Sequence, residues 1–293
     1  MLTKNKIEVL RIIESFRFLP LGVLVDICIE NKIYTKRESI SRVIKQLKKE
    51  NLIGSYMWGN NSKALFVRGL AIKELSIALG LPLYYFSSPS FKDRVQTYGL
   101  EHTIEIANIY KKLNSFIKTR SDLKIDFWKG DQNVKCFYEH WSLSHGKKIK
   151  RVLEPDSYFR ISKGEEKFEF FLEYDTGTMF RRQLVEKFSK YFEYMLYGDH
   201  KEKYIHFPFI IFITQRDKSL MDKMLQVPEV ALETFLNSRQ KFSKTNHLLY
   251  EAVGNSINFN SHMDSEIKAF LNHKIIFTYY QIEWEKEILN LLS

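Results

Sequence analysis

Cysteine is nearly absent from this 293-residue chain: Cys28 and Cys136 are the two it has, and neither belongs to a C-x-x-C pair. Two such thiols cannot make a disulfide framework, so the expected setting is the reducing cytoplasm. Long apolar runs are missing too. The best, Phe207 to Ile213, is far too short to cross a bilayer, and no apolar segment resembling a signal peptide follows Met1–Lys6. No membrane association is expected. The chain lacks G-x-x-x-x-G-K-[ST], which excludes a P-loop ATPase or helicase, so no nucleotide cofactor is expected. It also lacks His-x-His, H-x-x-R, H-E-x-x-H and G-x-S-x-G. Those absences argue against a metal-binding relaxase built on a His-x-His pair, a tyrosine recombinase, a zincin and a serine hydrolase. The C-x-x-x-H spacing of Cys136 and His140 is too weak for a zinc site. There is no internal repeat and no long low-complexity tract.

What is present is a globular composition, 44% hydrophobic and 27% charged, long enough for two ordinary domains or one large one. The formal charge is +10 with a pI near 9.3. Residues 1–97 hold 16 of the 45 Lys+Arg but 8 of the 35 Asp+Glu, a net of +8. An excess of this kind in the first third is the electrostatic footprint of a nucleic-acid partner, double-stranded DNA first. A merely solubilising surface, or one that meets an acidic protein, has the same composition.

The first third reads as helix, helix, helix, hairpin, helix. Ile7, Leu10, Ile12, Ile13 and Phe16 recur at helical spacing, and Pro20 can start a second helix running towards Glu30. Thr35 and Glu38 have capping-box spacing ahead of a third helix over about 36–50, with Ile40, Val43, Ile44 and Leu47 inward. Its other positions carry Lys36, Arg37, Arg42, Lys45, Lys48 and Lys49. Residues 52–58 and 63–67 flank a turn at 59–61, as in a hairpin, and a helix near 70–79 closes the unit. Three helices followed by a two-stranded ribbon is the winged helix-turn-helix pattern, whose third helix enters the major groove. The six cations can neutralise phosphates, while Ser39, Ser41 and Gln46 can hydrogen-bond bases or phosphate. A solvated helix face, or a winged helix that binds protein, fits the same residues.

Gly80, Pro82 and the run Ser87–Ser90 mark a boundary. Beyond it the expectation is a helix over about 101–116, strands near 123–129, 151–161 and 167–175, a helix over 179–196 and a strand at 207–214. Helices near 218–225 and 229–236 and a strand at 247–251 follow. The order αβββαβ points to an α+β domain, a mixed sheet flanked by helices. Within it, Glu154–Arg160 and Lys167–Asp175 read as a hairpin turning at 163–166, which sets Asp156 opposite Glu173. Period-two alternation then puts Glu154, Asp156, Tyr158, Glu169, Glu173 and Asp175 on one face and Pro155, Phe159, Phe168, Phe170 and Leu172 on the packed one. Facing carboxylates destabilise a hairpin unless they share a cation, for which Mg²⁺ or Mn²⁺ is the natural choice.

This layout resembles the PD-(D/E)XK nuclease superfamily, in which a Pro-Asp on one strand and an acidic residue on the next hold Mg²⁺. The resemblance implies that Asp156 and Glu173 are metal ligands and catalytic; Asp175 on the same face, and Glu105, one helical turn from His102, could join them at the metal. Asp175 stands where that motif has its lysine, and Lys187 on the next helix is the substitute. A narrower likeness is carried in order by Phe16–Leu19, Glu101–Glu105 with His102, Pro155–Asp156, Glu173–Thr178, Lys187–Tyr191 and Phe207–Pro208. These segments resemble the plasmid replication-relaxation protein family. That resemblance implies a DNA-associated role on a plasmid or other mobile element, in relaxation, replication or mobilisation, with replication or mobilisation proteins as partners. The plainer readings stand beside it: His102 as a cap or packing residue, Gly177 and Thr178 as the turn and N-cap of helix 179–196, Tyr191 and Phe188 as core.

The expected organisation is a winged helix over 1–80, a linker over 81–97, a PD-(D/E)XK-like domain over 98–254 and an extension over 255–293. Three functions fit it. One is a DNA-binding accessory protein, one a Mg²⁺-dependent endonuclease, and one a winged-helix transcriptional regulator.

Overall fold

The computed structural model describes residues 2–58, 62–83, 86, 99–142, 147–215, 226–228, 230, 231, 275–279, 288 and 292. The chain forms two compact units, the first of Met1–Val134 with Asp156–Lys167, the second of Lys135–Pro155 with Phe168–Ser293. The architecture is mixed α and β, with antiparallel and parallel strand pairs.

The first unit opens with helix α1 (Lys4–Glu14), which buries Val9, Leu10, Ile12 and Ile13. Strand β1 (Leu19–Pro20) runs straight into helix α2 (Leu21–Glu30), where Pro20 occupies the N-cap position. Helix α3 (Arg37–Lys49) buries Ile40, Ile44 and Leu47, one stripe at i, i+4, i+7. Lys36 is its N-cap and makes no side-chain cap, so the capping box expected from Thr35 and Glu38 does not form; the helix starts one residue late for that geometry. Strands β2 (Ile53–Trp58) and β3 (Ser62–Val67) pair antiparallel from Ile53↔Val67 to Trp58↔Ser62, and β1 adds to the other edge of β3. Helix α4 (Gly69–Leu79) ends where Gly80 takes φ 65, a conformation that costs glycine nothing. The expected succession of three helices, hairpin and helix is the observed one; the hairpin turn at 59–61 lies outside the described residues.

Helix α5 (Leu100–Ile117) belongs to this unit and turns Ile104, Ala107, Ile109, Leu113 and Ile117 inward. Strand β4 (Leu123–Gly130) pairs antiparallel with β7, defined below, with a register shift between Ile125 and Phe127. Trp128 stacks on Phe159 at 4.8 Å and meets Tyr110 edge-on at 5.0 Å, so α5 is sealed onto the strands by aromatic contact. Gly130 donates its N–H to the carbonyl of Ser15 at 2.9 Å, tying the strand to the end of α1.

The second unit begins with a ribbon, β5 (Cys136–Ser142) antiparallel to β6 (Lys147–Leu153). The strand expected over 151–161 is in fact two, β6 and β7 (Ser157–Lys163), separated by Glu154–Asp156. Pro155 explains the break, because it offers no N–H to a ladder. β5 has no counterpart in the expected αβββαβ order. Strand β8 (Glu166–Asp175) is parallel to β9 (Phe209–Thr214), and β9 to β10 (Ile275–Tyr279). Between β8 and β9 run helix α6 (Arg181–Tyr197) and the single turn α7 (His200–Lys203), the helical crossover that parallel pairing demands. From Glu169 to Asp175 every residue of β8 is buried, and so is Ile210–Thr214. The two-faced alternation expected for β8 is therefore replaced by burial on both sides, the habit of parallel strands covered by helices. The helix expected at 218–225, the strand at 247–251 and most of the helix at 229–236 fall outside the described residues, as does most of 81–97 and 255–293.

Candidate functional site

Several places carry the chemistry anticipated from sequence. The first is helix α3. Because its stripe of Ile40, Ile44 and Leu47 faces the core, Lys36, Arg37, Arg42, Lys45 and Lys49 are exposed and Lys48 is half-buried. Two of the six are tied down. Arg37 pairs with Asp26 at 3.2 Å, and Lys48 donates to Ser55 Oγ on β2 at 2.8 Å. Burial, then the charge of Lys63 on β3, pushes the Lys48 ammonium below its ordinary pKa. Lys63 thereby joins the basic surface of the helix, an addition that spacing along α3 alone did not reveal. Gln46 donates to Glu50 at 2.9 Å, and Lys6 bonds the same carboxylate oxygen at 3.1 Å. That pairing with Lys6 holds the Glu50 carboxyl below the usual range. Ser41 is exposed and Ser39 half-buried.

The others are buried carboxylates, one in the first unit and three in the second, each with its own surroundings. In the first unit, Asp156 is 7% exposed, and its Oδ2 lies 3.4 Å from His102 Nε2 on α5. Its backbone carbonyl accepts from Ser157 Oγ at 2.7 Å. Glu105 stands one turn further along α5 and is half-buried. In the second unit, Glu173 has no exposure at all. Tyr191 donates its hydroxyl to Glu173 Oε1 at 2.5 Å, and Lys187 forms an ion pair with Oε2. Both partners come from α6, one turn apart, so the helix delivers them to one strand position. Asp175 accepts from the backbone N–H of Gly177 at 3.0 Å and of Met179 at 3.4 Å, and from Thr214 Oγ1 on β9 at 3.1 Å. Glu169 accepts from the N–H of Ile205 at 3.0 Å.

These contacts have a common logic. A carboxylate removed from water is costly unless a cation or several donors answer it, and each of these is answered by protein. Asp175 shapes the exit of β8: Gly177 at φ 90 makes the turn, as expected, and α6 starts at Arg181 with Phe180 as N-cap. Thr178 is thus not the cap it was expected to be. The side chain of Gln183 instead accepts from the N–H of Phe180 at 2.7 Å. Tyr191 and Phe188 are core residues as read, but the hydroxyl of Tyr191 also has a polar task. Among the described residues no group of three or more His, Cys, Asp or Glu side chains is arranged to hold a metal ion. The oxygens of Glu173 and Asp175 that Mg²⁺ would need already have protein partners, so this donor set does not fit a divalent ion as it stands.

No helix among the described residues is long and apolar enough to cross a membrane. No curated protein and no solved structure matches the chain. Residues 87–210, the stretch that holds α5, the four buried acids and α6, match the model of the replication-relaxation family; over that segment the chain is similar to this family, and the match supports a replication-related function.

Proposed function

We propose that the chain is a DNA-binding replication-relaxation protein of a plasmid or other mobile element, acting in the cytoplasm beside replication or mobilisation proteins. In this reading residues 1–80 are a winged helix, α3 enters the major groove of duplex DNA, and β2 and β3 meet the backbone. The observation that carries it is the split surface of α3: three apolar side chains buried, and Lys36, Arg42, Lys45 and Lys49 exposed beside Lys63. The domain expected over 98–254 serves as a scaffold, because its buried acids spend their charge on protein partners.

The test is titration of a fluorescent duplex with the full chain over a range of salt. Arg42→Ala with Lys45→Ala should weaken binding and lower the slope of log K against log salt by about 2, roughly 0.9 for each phosphate contact removed. An unchanged slope overturns the assignment of α3.

One observation favours a second reading, a Mg²⁺-dependent endonuclease: Lys187 on α6 reaches Glu173, the helix-borne lysine that such chemistry would use. It would need Glu173 to exchange Lys187 and Tyr191 for metal. A plasmid nicking assay with Mg²⁺ or Mn²⁺ separates the readings, with Asp156→Asn as control. Nicking that the substitution abolishes would establish the nuclease.

A further inference from the structure

A second basic surface lies in the other unit, on the ribbon of β5 and β6. Over 136–153 the chain carries Lys147, Lys148, Lys150 and Arg151 against a single carboxylate, Glu139. All four cations are exposed. The register pairs Phe137 with Val152, Glu139 with Lys150 and Tyr138 with Arg151. Residues paired across an antiparallel ladder share a face, so Lys148, Lys150 and Phe137 lie on one side and Lys147 and Arg151 on the other. The two sides differ in their surroundings. Tyr138 is buried, with its ring 5.9 Å from Tyr194 and its hydroxyl donating to Glu193 at 2.7 Å, so that side packs on α6. Phe137 is 63% exposed, so the side it shares with Lys148 and Lys150 is open.

We infer that this ribbon is a second nucleic-acid contact, gripping the phosphate backbone of DNA. The inference rests on the DNA-binding reading above and adds a site to it. Four cations within five residues of one strand repel one another, and among the described residues the carboxylates beside them are Glu139 on the open side and Glu193, bonded to Tyr138, on the side packed against α6. Lys135, just before the ribbon, is already matched by Glu154 at 3.0 Å, whereas among the described residues Lys148 and Lys150 on the open side face Glu139 alone. A polyanion supplies the rest. Residues 147–151 extend over about 14 Å, the axial rise of about four phosphates in one strand of a duplex. Antiparallel ribbons are an established way of entering or straddling a groove.

The experiment uses the full chain and a 30-base-pair duplex. Lys148→Gln with Lys150→Gln should lower the salt slope by about 2 and weaken binding at low salt. Glu139→Gln should tighten binding several-fold at low salt by removing the ribbon's opposing charge, a gain that an unfolded variant cannot produce. Arg42→Ala with Lys45→Ala, on α3, is run in parallel. If the α3 variant weakens binding while both ribbon variants match wild type, the ribbon inference fails and the DNA-binding reading stands. If wild type does not bind the duplex at all, both fail. Binding to anionic phospholipid vesicles that the ribbon variants abolish, with duplex affinity unchanged, overturns the choice of DNA as the partner.

Discussion

A carboxylate with no exposure persists only where its charge is answered at short range, and Glu173 is answered twice from one helix. Lys187→Met should therefore cost about 3–5 kcal/mol of stability, since it leaves a buried charge without its counterion. Adding Glu173→Gln should restore most of that loss, because the pair is removed together. Urea melts of the two variants check it; a neutral Lys187→Met would mean the ion pair is not structural. Part of this was legible in the sequence. Lys187 and Asp156 stand out through the likeness to PD-(D/E)XK nucleases, but as catalytic and metal-binding residues, not as the partners of Glu173 and His102 that they are here. The contact of Tyr191 with Glu173 was not legible, because a tyrosine at a core-facing position looks the same whether or not its hydroxyl finds a buried acid. The protein partners of Asp175 were hidden for a similar reason: one of them, Thr214, lies 39 residues further along on β9.

Helices were the most readable elements, since an apolar stripe at 3.6-residue spacing survives in α1, α3 and α5 and their ends fall within a few residues of expectation. Strands were readable as apolar runs but not as faces. β8 alternates acid and aromatic in sequence, yet both its faces are covered, so polarity there reports pairing rather than solvent. β5 was missed, and β6 was expected only as the start of a strand over 151–161, because β5 reads Cys-Phe-Tyr-Glu-His-Trp-Ser and β6 is largely cationic, patterns without the apolar core of the other strands. Nor does sequence reveal a close approach of backbones. A Cβ on Gly130 would stand 2.5 Å from the carbonyl oxygen of Ser15, at the point where β4 meets the end of α1. Backbone cannot swing aside as a side chain can, so Gly130→Ala should destabilise the protein by about 1–3 kcal/mol, the range for overpacking. Chemical denaturation of the variant measures it. An unchanged midpoint would show that α1 shifts freely against β4.

At the scale of the whole molecule, the choice is between an acidic set that holds a metal and one that holds the fold, and the two respond differently to divalent ions. An ion that binds the folded chain and not the unfolded one stabilises it by RT ln(1 + [L]/Kd), about 2.7 kcal/mol at a hundredfold excess over Kd. For a chain of this size that corresponds to a rise in Tm of roughly 4 °C. With the oxygens of Glu173 and Asp175 bonded to Tyr191, Lys187, Gly177, Met179 and Thr214, an ion must first displace those partners, and the energy needed to break them subtracts from its binding. The expected outcome is that millimolar Mg²⁺ or Mn²⁺ leaves the Tm of the full chain within a degree of its value in EDTA, and that Asp156→Asn behaves as wild type in this respect. DNA should still raise the Tm if it binds as proposed, because the cations of α3 and of the β5–β6 ribbon are exposed. Thermal melts with and without metal, each with and without a short duplex, decide the matter. A metal-dependent rise that disappears in Asp156→Asn would overturn the scaffold role and transfer the argument to the endonuclease. A rise from metal that needs the duplex present would place the ion between protein and phosphate, since the carboxylates alone would then have failed to hold it.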